Sequence, residues 1–226
     1  MTPIEVLMEQ FATALKHHNR EEAVKLVKEA LENQVVTIPV LYESILAPSL
    51  NRIASNSLEQ DIPIWEEHIS SNIVRTAMEV AFPYVIRARD AQTKDESIHD
   101  NLKKKALVFC LEEEYHELGA RMTTDFLTLL DFEAYYIGAN TPRQEIIKAF
   151  DYFLPDVICI SITNYYHLAK LHAFIDQMKS SRIEKPFKLV LGGYAIHHSS
   201  NVSDLIKADY YVNTFEDLKK IKEDIL

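Results

Sequence analysis

The chain has 226 residues, enough for one large domain or two small ones, and its 47% hydrophobic and 26% charged content is ordinary for a soluble globular protein. A net charge of −10 and a pI near 5.4 argue against a general nucleic-acid or anionic-membrane surface, which needs a basic patch. Met1–Gln10 has neither a basic start nor a long apolar core, and no apolar run approaches the ~20 residues that span a bilayer, so a cytoplasmic protein without a signal peptide is expected.

Up to about Asp90 the sequence reads as helices only. Thr2-Pro3-Ile4-Glu5 combines a capping residue, an early proline and a glutamate three residues after the cap, and Ile4, Leu7, Phe11 and Leu15 then mark one helical face. Asn19 can cap a second helix, with Glu22 at the capping-box position and Ala23, Leu26 and Ala30 inward. Thr37 and Pro39 open a third, carrying Leu41, Ile45 and Leu46; Pro48 punctuates it, and Leu50 and Ile53 mark a short fourth piece. Asp61-Ile62-Pro63 opens a long helix through about Ala81, which Pro83 is expected to kink or end. Such helices, joined by short turns, make a small bundle.

The long helix carries Glu67, His68, Ser71, Asn72 and Arg75 at three- and four-residue steps. They form either a solvated face or a polar face presented to a ligand. Trp65, the only tryptophan, is a core anchor or a cap over a flat ligand; its alternation with Ile64 and Ile69 favours the core. Arg87–Lys105 is polar, has no apolar period and reads as an exposed connection, giving a helical domain over 1–90, a linker over 91–105 and a second domain over 106–226.

From Ala106 on, strands alternate with helices, which predicts a parallel sheet. Strands are expected at Ala106–Leu111, Phe132–Ile137, Val157–Ile162, Phe187–Leu191 and Tyr210–Val212. Helices are expected at Arg121–Leu130, from Pro142-Arg143 to Phe153 with Thr141 as cap, at His167–Ser180, around Leu205, and at Phe215–Leu226. The fold class is therefore α/β: an N-terminal helical bundle followed by a flavodoxin-like (Rossmann-like) domain with a five-stranded parallel sheet. Cys110 and Cys159 fall in buried strands and read as packing residues of a reducing compartment.

Three strand ends carry the candidate chemistry. The first runs into Leu111–Gly119, LEEEYHELG, where His116 follows Glu114 by two residues and Gly119 lies three further on. A ligating histidine needs a partner for its other ring nitrogen, and Glu114 is near enough to be it. Gly119, at the start of the next helix, lets a bulky ligand approach the backbone. The third strand ends in Ser161-Ile162-Thr163, whose hydroxyls can hydrogen-bond a buried heterocycle, and the fourth ends in Gly192-Gly193, where a long or flat group can lie against backbone or the chain simply turns. No G-x-G-x-x-G loop and no Walker lysine motif is present, so an ordinary dinucleotide or nucleoside triphosphate is not favoured. No nucleophile–base arrangement and no paired acids are visible, so the chain is not expected to be an enzyme.

The E-x-H-x-x-G loop, the Ser-x-Thr strand end and the Gly-Gly strand end, in that order, resemble the cobalamin-binding domain of the methionine synthase and mutase type. The helical bundle completes the two-domain module, so the resemblance covers nearly the whole chain. The finer resemblance is to the CarH/LitR-type light-responsive regulators, through HELGARMTTDFL, YYIGANTP, LYESILAPSLNRI and the Glu67-His68 pair. It implies His116 as the lower axial ligand of cobalt in place of the cofactor's own benzimidazole, with Glu114 orienting it. It implies Ser161, Thr163, Gly192 and Gly193 along the slot for the displaced nucleotide tail. It also implies a bundle over the upper face, with Trp65, Glu67 and His68 near the cofactor and His68 able to reach cobalt.

Three departures bear on function. The regulators carry a fused helix-turn-helix domain, whereas this chain begins at the bundle, so any output is expected through an unknown protein partner without direct nucleic-acid binding. The family tryptophan ten residues before the Glu-His glutamate falls here on Ser57, which fits a small upper ligand or a His116–cobalt–His68 bridge better than a shielded adenosyl group. Glu114 replaces the commoner aspartate, in agreement with the regulators. The expected function is a cobalamin-binding sensor or regulator; the alternatives are a corrinoid methyl carrier for partner methyltransferases, or a relic fold whose Tyr165, Tyr166 and Tyr194 partly fill the pocket. Acid is expected to release the cofactor by protonating His116. Homo-oligomerisation is implied by the family alone.

Overall fold

The computed structural model describes residues 1–52, 63–92, 103–181, 186–199 and 202–225, with backbone only for 179–181. Ser57, Ile53, Asp61 and Ile62 lie outside the described residues, as does most of the expected linker. The described chain divides into two compact units, Met1–Ala91 and Gln92–Leu226.

The first unit is helical. α1 (Pro3–Lys16) starts at the expected capping box: Thr2 Oγ1 accepts from the Glu5 amide at 3.2 Å, and the Glu5 carboxylate accepts from the Thr2 amide at 2.7 Å. α2 (Arg20–Glu32) is capped by Asn19, whose Oδ1 accepts from the Glu22 amide at 3.0 Å; its buried face is Ala23, Val27, Ala30 and Leu31. α3 (Ile38–Leu41) runs into a π-helical turn, Tyr42–Leu46, and helix continues over 47–52. Pro48 therefore does not punctuate. The widened turn, closed by the Ala47 amide donating to the Tyr42 carbonyl, accommodates a residue that lacks an N–H, and Ser49 Oγ donates to the Ile45 carbonyl at 2.6 Å.

α4 (Ile64–Gln92) also differs from expectation: it runs through Pro83 and takes in residues 87–92, which the composition assigned to the connection. Pro83 sits on the exposed face, where water can replace the missing backbone bond, so the helix need not end. Its inward stripe is Ser70, Ile73, Val74, Ala77, Met78, Ala81 and Val85, at helical spacing. That phase turns Trp65 outward. The indole is 55% exposed, beside Ile64 and Ile69, which are also exposed, so the core reading of Trp65 is corrected. Tyr84 Oη donates to Glu32 at 3.3 Å, tying α4 to α2.

The second unit is a five-stranded, all-parallel sheet in the order β2-β1-β3-β4-β5, built from β1 (Lys105–Cys110), β2 (Glu133–Gly138), β3 (Val157–Ser161), β4 (Lys188–Gly192) and β5 (Tyr210–Val212). Its helices are α5 (Leu118–Leu129), α6 (Arg143–Phe153), α7 (Tyr166–Ser181), α8 (Tyr194–His197), α9 (Val202–Leu205) and α10 (Phe215–Ile225). After the half-buried Lys105, β1 is buried and apolar throughout, and β3 is buried along its whole length and apolar up to Ser161, as a strand covered on both faces requires. Phe109, Phe150, Ile160, Phe174 and Leu191 anchor the core. Thr141 does not cap α6: the cap position is Pro142, with no side-chain capping bond. α8 had no counterpart in the sequence reading. Cys110 and Cys159 are buried free thiols, as expected; burial pushes both up to about 12, with the Glu114 and Glu117 charges adding to the effect at Cys110. No helix among the described residues is long and apolar enough to cross a membrane.

The strand order reverses between β1 and β3. The chain leaves β1 toward β2 on one side and β3 toward β4 on the other, which opens a crevice at the carboxyl ends of the two strands. Register puts Cys110, Ser161, Gly192 and Val212 in one row there.

Candidate functional site

Glu114 is the hub of that edge. It is 1% exposed, although it stands in a loop two residues from His116, whose side chain is 54% exposed. Buried carboxylates need partners, and Glu114 has several. Oε1 accepts from His116 Nδ1 at 2.6 Å and from the His116 amide at 3.2 Å. Oε2 accepts from the amides of Thr163 at 3.0 Å and Asn164 at 2.9 Å, in the turn after β3. Burial alone would raise this carboxyl; the hydrogen bonds from His116 and from the Asn164, His116 and Thr163 amides outweigh it and hold the group at about 2. Glu114 is thus an anion at neutral pH. An anion facing Nδ1 fixes the proton there and leaves the ring lone pair on Nε2.

The rest of the loop is fastened around this pair. Asn140, in the connection from β2 to α6, accepts on Oδ1 from the Glu113 amide at 2.8 Å, and its own amide donates to the Glu114 carbonyl at 2.9 Å. Lys170 of α7 hydrogen-bonds the Glu113 carboxylate and draws its pKa down. Cys110 Sγ donates to the His116 carbonyl at 3.6 Å. At the head of α5, Glu117 accepts from Tyr136 Oη at 2.9 Å and pairs with Arg121 at 3.3 Å, while burial and the nearby Cys110 and Glu117 raise the Tyr136 phenol.

The other expected residues of this unit lie on the same edge, in roles that differ. Thr163 serves Glu114 through its amide. Ser161 is buried, and a Cβ built on Gly119 would stand 3.7 Å from Ser161 Oγ, so these two face each other across ordinary contact distance. Gly193 has φ +98°, and a Cβ on it would fall 2.5 Å from the Ile162 carbonyl oxygen. A Cβ on Gly192 would fall 3.0 Å from the Val212 carbonyl oxygen. What presses on this pair in the fold is the chain's own backbone.

Trp65, Glu67 and His68 belong to the first unit, on the opening turns of α4. Glu67 is half-buried and His68 exposed, and the Trp65 ring packs 5.8 Å from that of His18. Tyr165, Tyr166 and Tyr194 are exposed, with Tyr194 stacked on His198 at 3.9 Å.

Sequence reasoning missed Asn140, Asn164 and His167. His167, which carries no motif, is 6% exposed with Nε2 3.9 Å from Glu114 Oε2. Asn140 left one signal: asparagine after a strand and before a proline-opened helix marks a turn that tolerates positive φ, here +50°. No group of three or more His, Cys, Asp or Glu that could hold a bare metal ion occurs among the described residues.

Residues 104–218 match the B12 binding domain family, and residues 7–81 match a second family with the same description. No curated protein sequence matches the chain. Among solved structures, the monomethylamine corrinoid protein of Methanosarcina barkeri matches with a TM-score of 0.81 at 16% identity, over 98% of this chain and 99% of that one. A cobalamin-binding protein of Desulfitobacterium hafniense DCB-2 matches with a TM-score of 0.50 at 15% identity, over 96% of this chain and 97% of that one. These two likenesses concern the fold; the family matches, lying on both halves of the chain and spanning the Glu114–His116 edge, make the chain a member of the B12-binding domain family with cobalamin as its cofactor.

Proposed function

We propose that His116 is the lower axial ligand of the bound corrinoid and that the chain carries a methyl group on it for partner methyltransferases. The observation that supports the ligand assignment is the 2.6 Å hydrogen bond from His116 Nδ1 to a buried, ionised Glu114. It orients the ring, fixes its tautomer and raises its basicity, the three things an outer partner does for a ligating imidazole. A macrocycle supplies the remaining in-plane donors, so one imidazole suffices from the protein. Bound cobalamin supplies a cobalt centre that can take up and release a carbon ligand. Ser161, facing Gly119 at the end of β3, and Gly192-Gly193 at the end of β4 line the room for the nucleotide tail.

The carrier reading is supported by the likeness along nearly the full length of both chains to a monomethylamine corrinoid protein. On this reading the chain presents the cofactor, and the partner enzyme provides the acid–base groups. A second reading, a cobalamin-dependent sensor, is favoured by the exposed His68 beside Glu67 on α4 and by glutamate rather than aspartate at position 114.

The test is absorption spectroscopy of the purified chain with hydroxo-, methyl- and adenosylcobalamin, in the dark and after illumination. A stoichiometric histidine-ligated spectrum that disappears in His116→Ala is expected. An unchanged spectrum in His116→Ala would sink the ligand assignment. Binding of methylcobalamin, with a light product that is the same in His68→Ala, is expected of a carrier; a light product lost in His68→Ala would replace that reading with the sensor.

A further inference from the structure

We propose that Asn140 is a positioning residue for cobalamin ligation, acting on His116 through the Glu113–Glu114 turn; this rests on the reading of His116 as the ligand. The turn is strained on its own. Glu113 has φ +69°, a conformation that disfavours a side chain with a Cβ, and its carboxylate is exposed, so nothing apolar holds it. The Glu114 amide closes the turn onto the Leu111 carbonyl at 3.0 Å and Lys170 meets the Glu113 carboxylate, while a reciprocal pair of hydrogen bonds ties its backbone to a single residue of another connection. Asn140 Oδ1 accepts from the Glu113 amide at 2.8 Å, and the Asn140 amide donates to the Glu114 carbonyl at 2.9 Å.

The geometry shows why this residue can do so. The register between β1 and β2 shifts at its carboxyl end: Val108 pairs with Tyr136, but Phe109 pairs with Gly138, so Ile137 is an extra residue in β2. A bulge of this kind re-aims the chain that follows it. Gly138, at φ +136°, and Asn140, at φ +50°, then turn the connection back over the end of β1. Asparagine is among the few residues that accept a left-handed backbone and also carry a short side-chain acceptor.

The turn is therefore gripped from two sides. The β3–α7 turn holds the Glu114 carboxylate through the Thr163 and Asn164 amides, and the β2–α6 connection holds its backbone through Asn140. Carboxylate and backbone together set where His116 points. Removing the second grip leaves Glu114 buried but frees the backbone to relax out of its left-handed conformation, which swings the imidazole.

Three forms of the full chain separate the side-chain bond from the backbone strain. Asn140→Gly keeps the left-handed backbone and its amide and removes only the acceptor. Asn140→Asp keeps the backbone preference and the acceptor. The readouts are titration with hydroxocobalamin, scored by the His116-dependent spectrum, and amide hydrogen exchange at Glu113 in the cofactor-free chain. Expected for Asn140→Gly are about tenfold weaker binding, a smaller histidine-ligated fraction and about tenfold faster Glu113 exchange, all restored in Asn140→Asp. Asn140→Gly matching the unaltered chain in both readouts, or Asn140→Asp as defective as Asn140→Gly, overturns the assignment while leaving the ligand reading intact. An unaltered chain with no His116-dependent spectrum overturns both.

Discussion

A Cβ on Gly193 would stand 2.5 Å from the carbonyl oxygen of Ile162 and 2.8 Å from its nitrogen, closer than any side chain tolerates. Ile162 donates its amide to Gly192 and accepts at its carbonyl from Ala195, so neither backbone can move without breaking those bonds. Gly193→Ala should therefore cost roughly 2–4 kcal/mol of stability, from contact and from the positive φ together. Gly119→Ala meets only ordinary contact at Ser161 and should fold within about 1 kcal/mol of the unaltered chain while weakening cobalamin binding. Denaturant unfolding with a parallel cobalamin titration checks both. A Gly119→Ala chain that binds normally would remove that glycine from the cofactor slot.

Glu114→Gln replaces an acceptor of His116 and backbone donors with an amide that presents an NH2 to some of them. Loss of charge-assisted bonds at a buried site should lower stability by about 2 kcal/mol. The effect on ligation should be about 10–100-fold in affinity. The two measurements are a urea curve on the cofactor-free chain and a hydroxocobalamin titration.

Asp217 closes a capping box with Thr214 at the start of α10. Its Oδ2 accepts from the Asn213 and Thr214 amides at 3.1 Å and from Thr214 Oγ1 at 2.8 Å, while Thr214 Oγ1 accepts from the Asp217 amide at 3.2 Å. Partial burial opposes ionisation, but the hydrogen bonds outweigh it and hold the carboxyl at about 2. A depressed carboxyl stabilises the fold above its unfolded pKa, near 4, and that contribution is lost as pH falls through about 2. Asp217→Asn should thus cost about 1 kcal/mol at neutral pH, and the difference should shrink between about pH 4 and pH 2. Thermal melts across that range decide it; a gap constant with pH would mean that the charge contributes nothing.

Burial and elevated pKa values should make Cys110 and Cys159 inert. At pH 8 an alkylating reagent should label neither in the folded chain and both after unfolding, as mass spectrometry would show.

Pro83→Ala restores a backbone donor on an exposed helical face and should raise stability by about 1 kcal/mol. A lowered melting temperature would show instead that the proline limits the unfolded ensemble more than it strains α4.

The sheet was legible because each strand is a short apolar run, and the alternation with helices admits few topologies. The motifs at Glu114–His116, Ser161 and Gly192-Gly193 were legible because strand register alone brings their positions to one edge. What failed did so for identifiable reasons. Local rules make Pro48 a break and Pro83 a kink or an end because they ignore a π turn or a solvent-facing position. Trp65 was read as core because a short alternation was weighed over the phase of the α4 stripe. Asn140 and His167 stayed invisible because their contacts with the loop are set by tertiary folding, and neither belongs to a spacing pattern.

The π turn at Tyr42–Leu46 has a consequence for insertions and deletions in this segment. Its buried residues advance by fours, Ile38-Tyr42-Leu46 and Leu41-Ile45-Ser49, a step that overshoots one turn of an ordinary helix and would drift off the face. The wide turn absorbs the drift. Deleting one residue there would close the helix to the ordinary pitch and cancel the extra residue, so that the downstream stretch, Ser49 included, keeps its face. A one-residue deletion should thus be tolerated better across these five residues than in the helix on either side, and related chains should differ in length here by single residues.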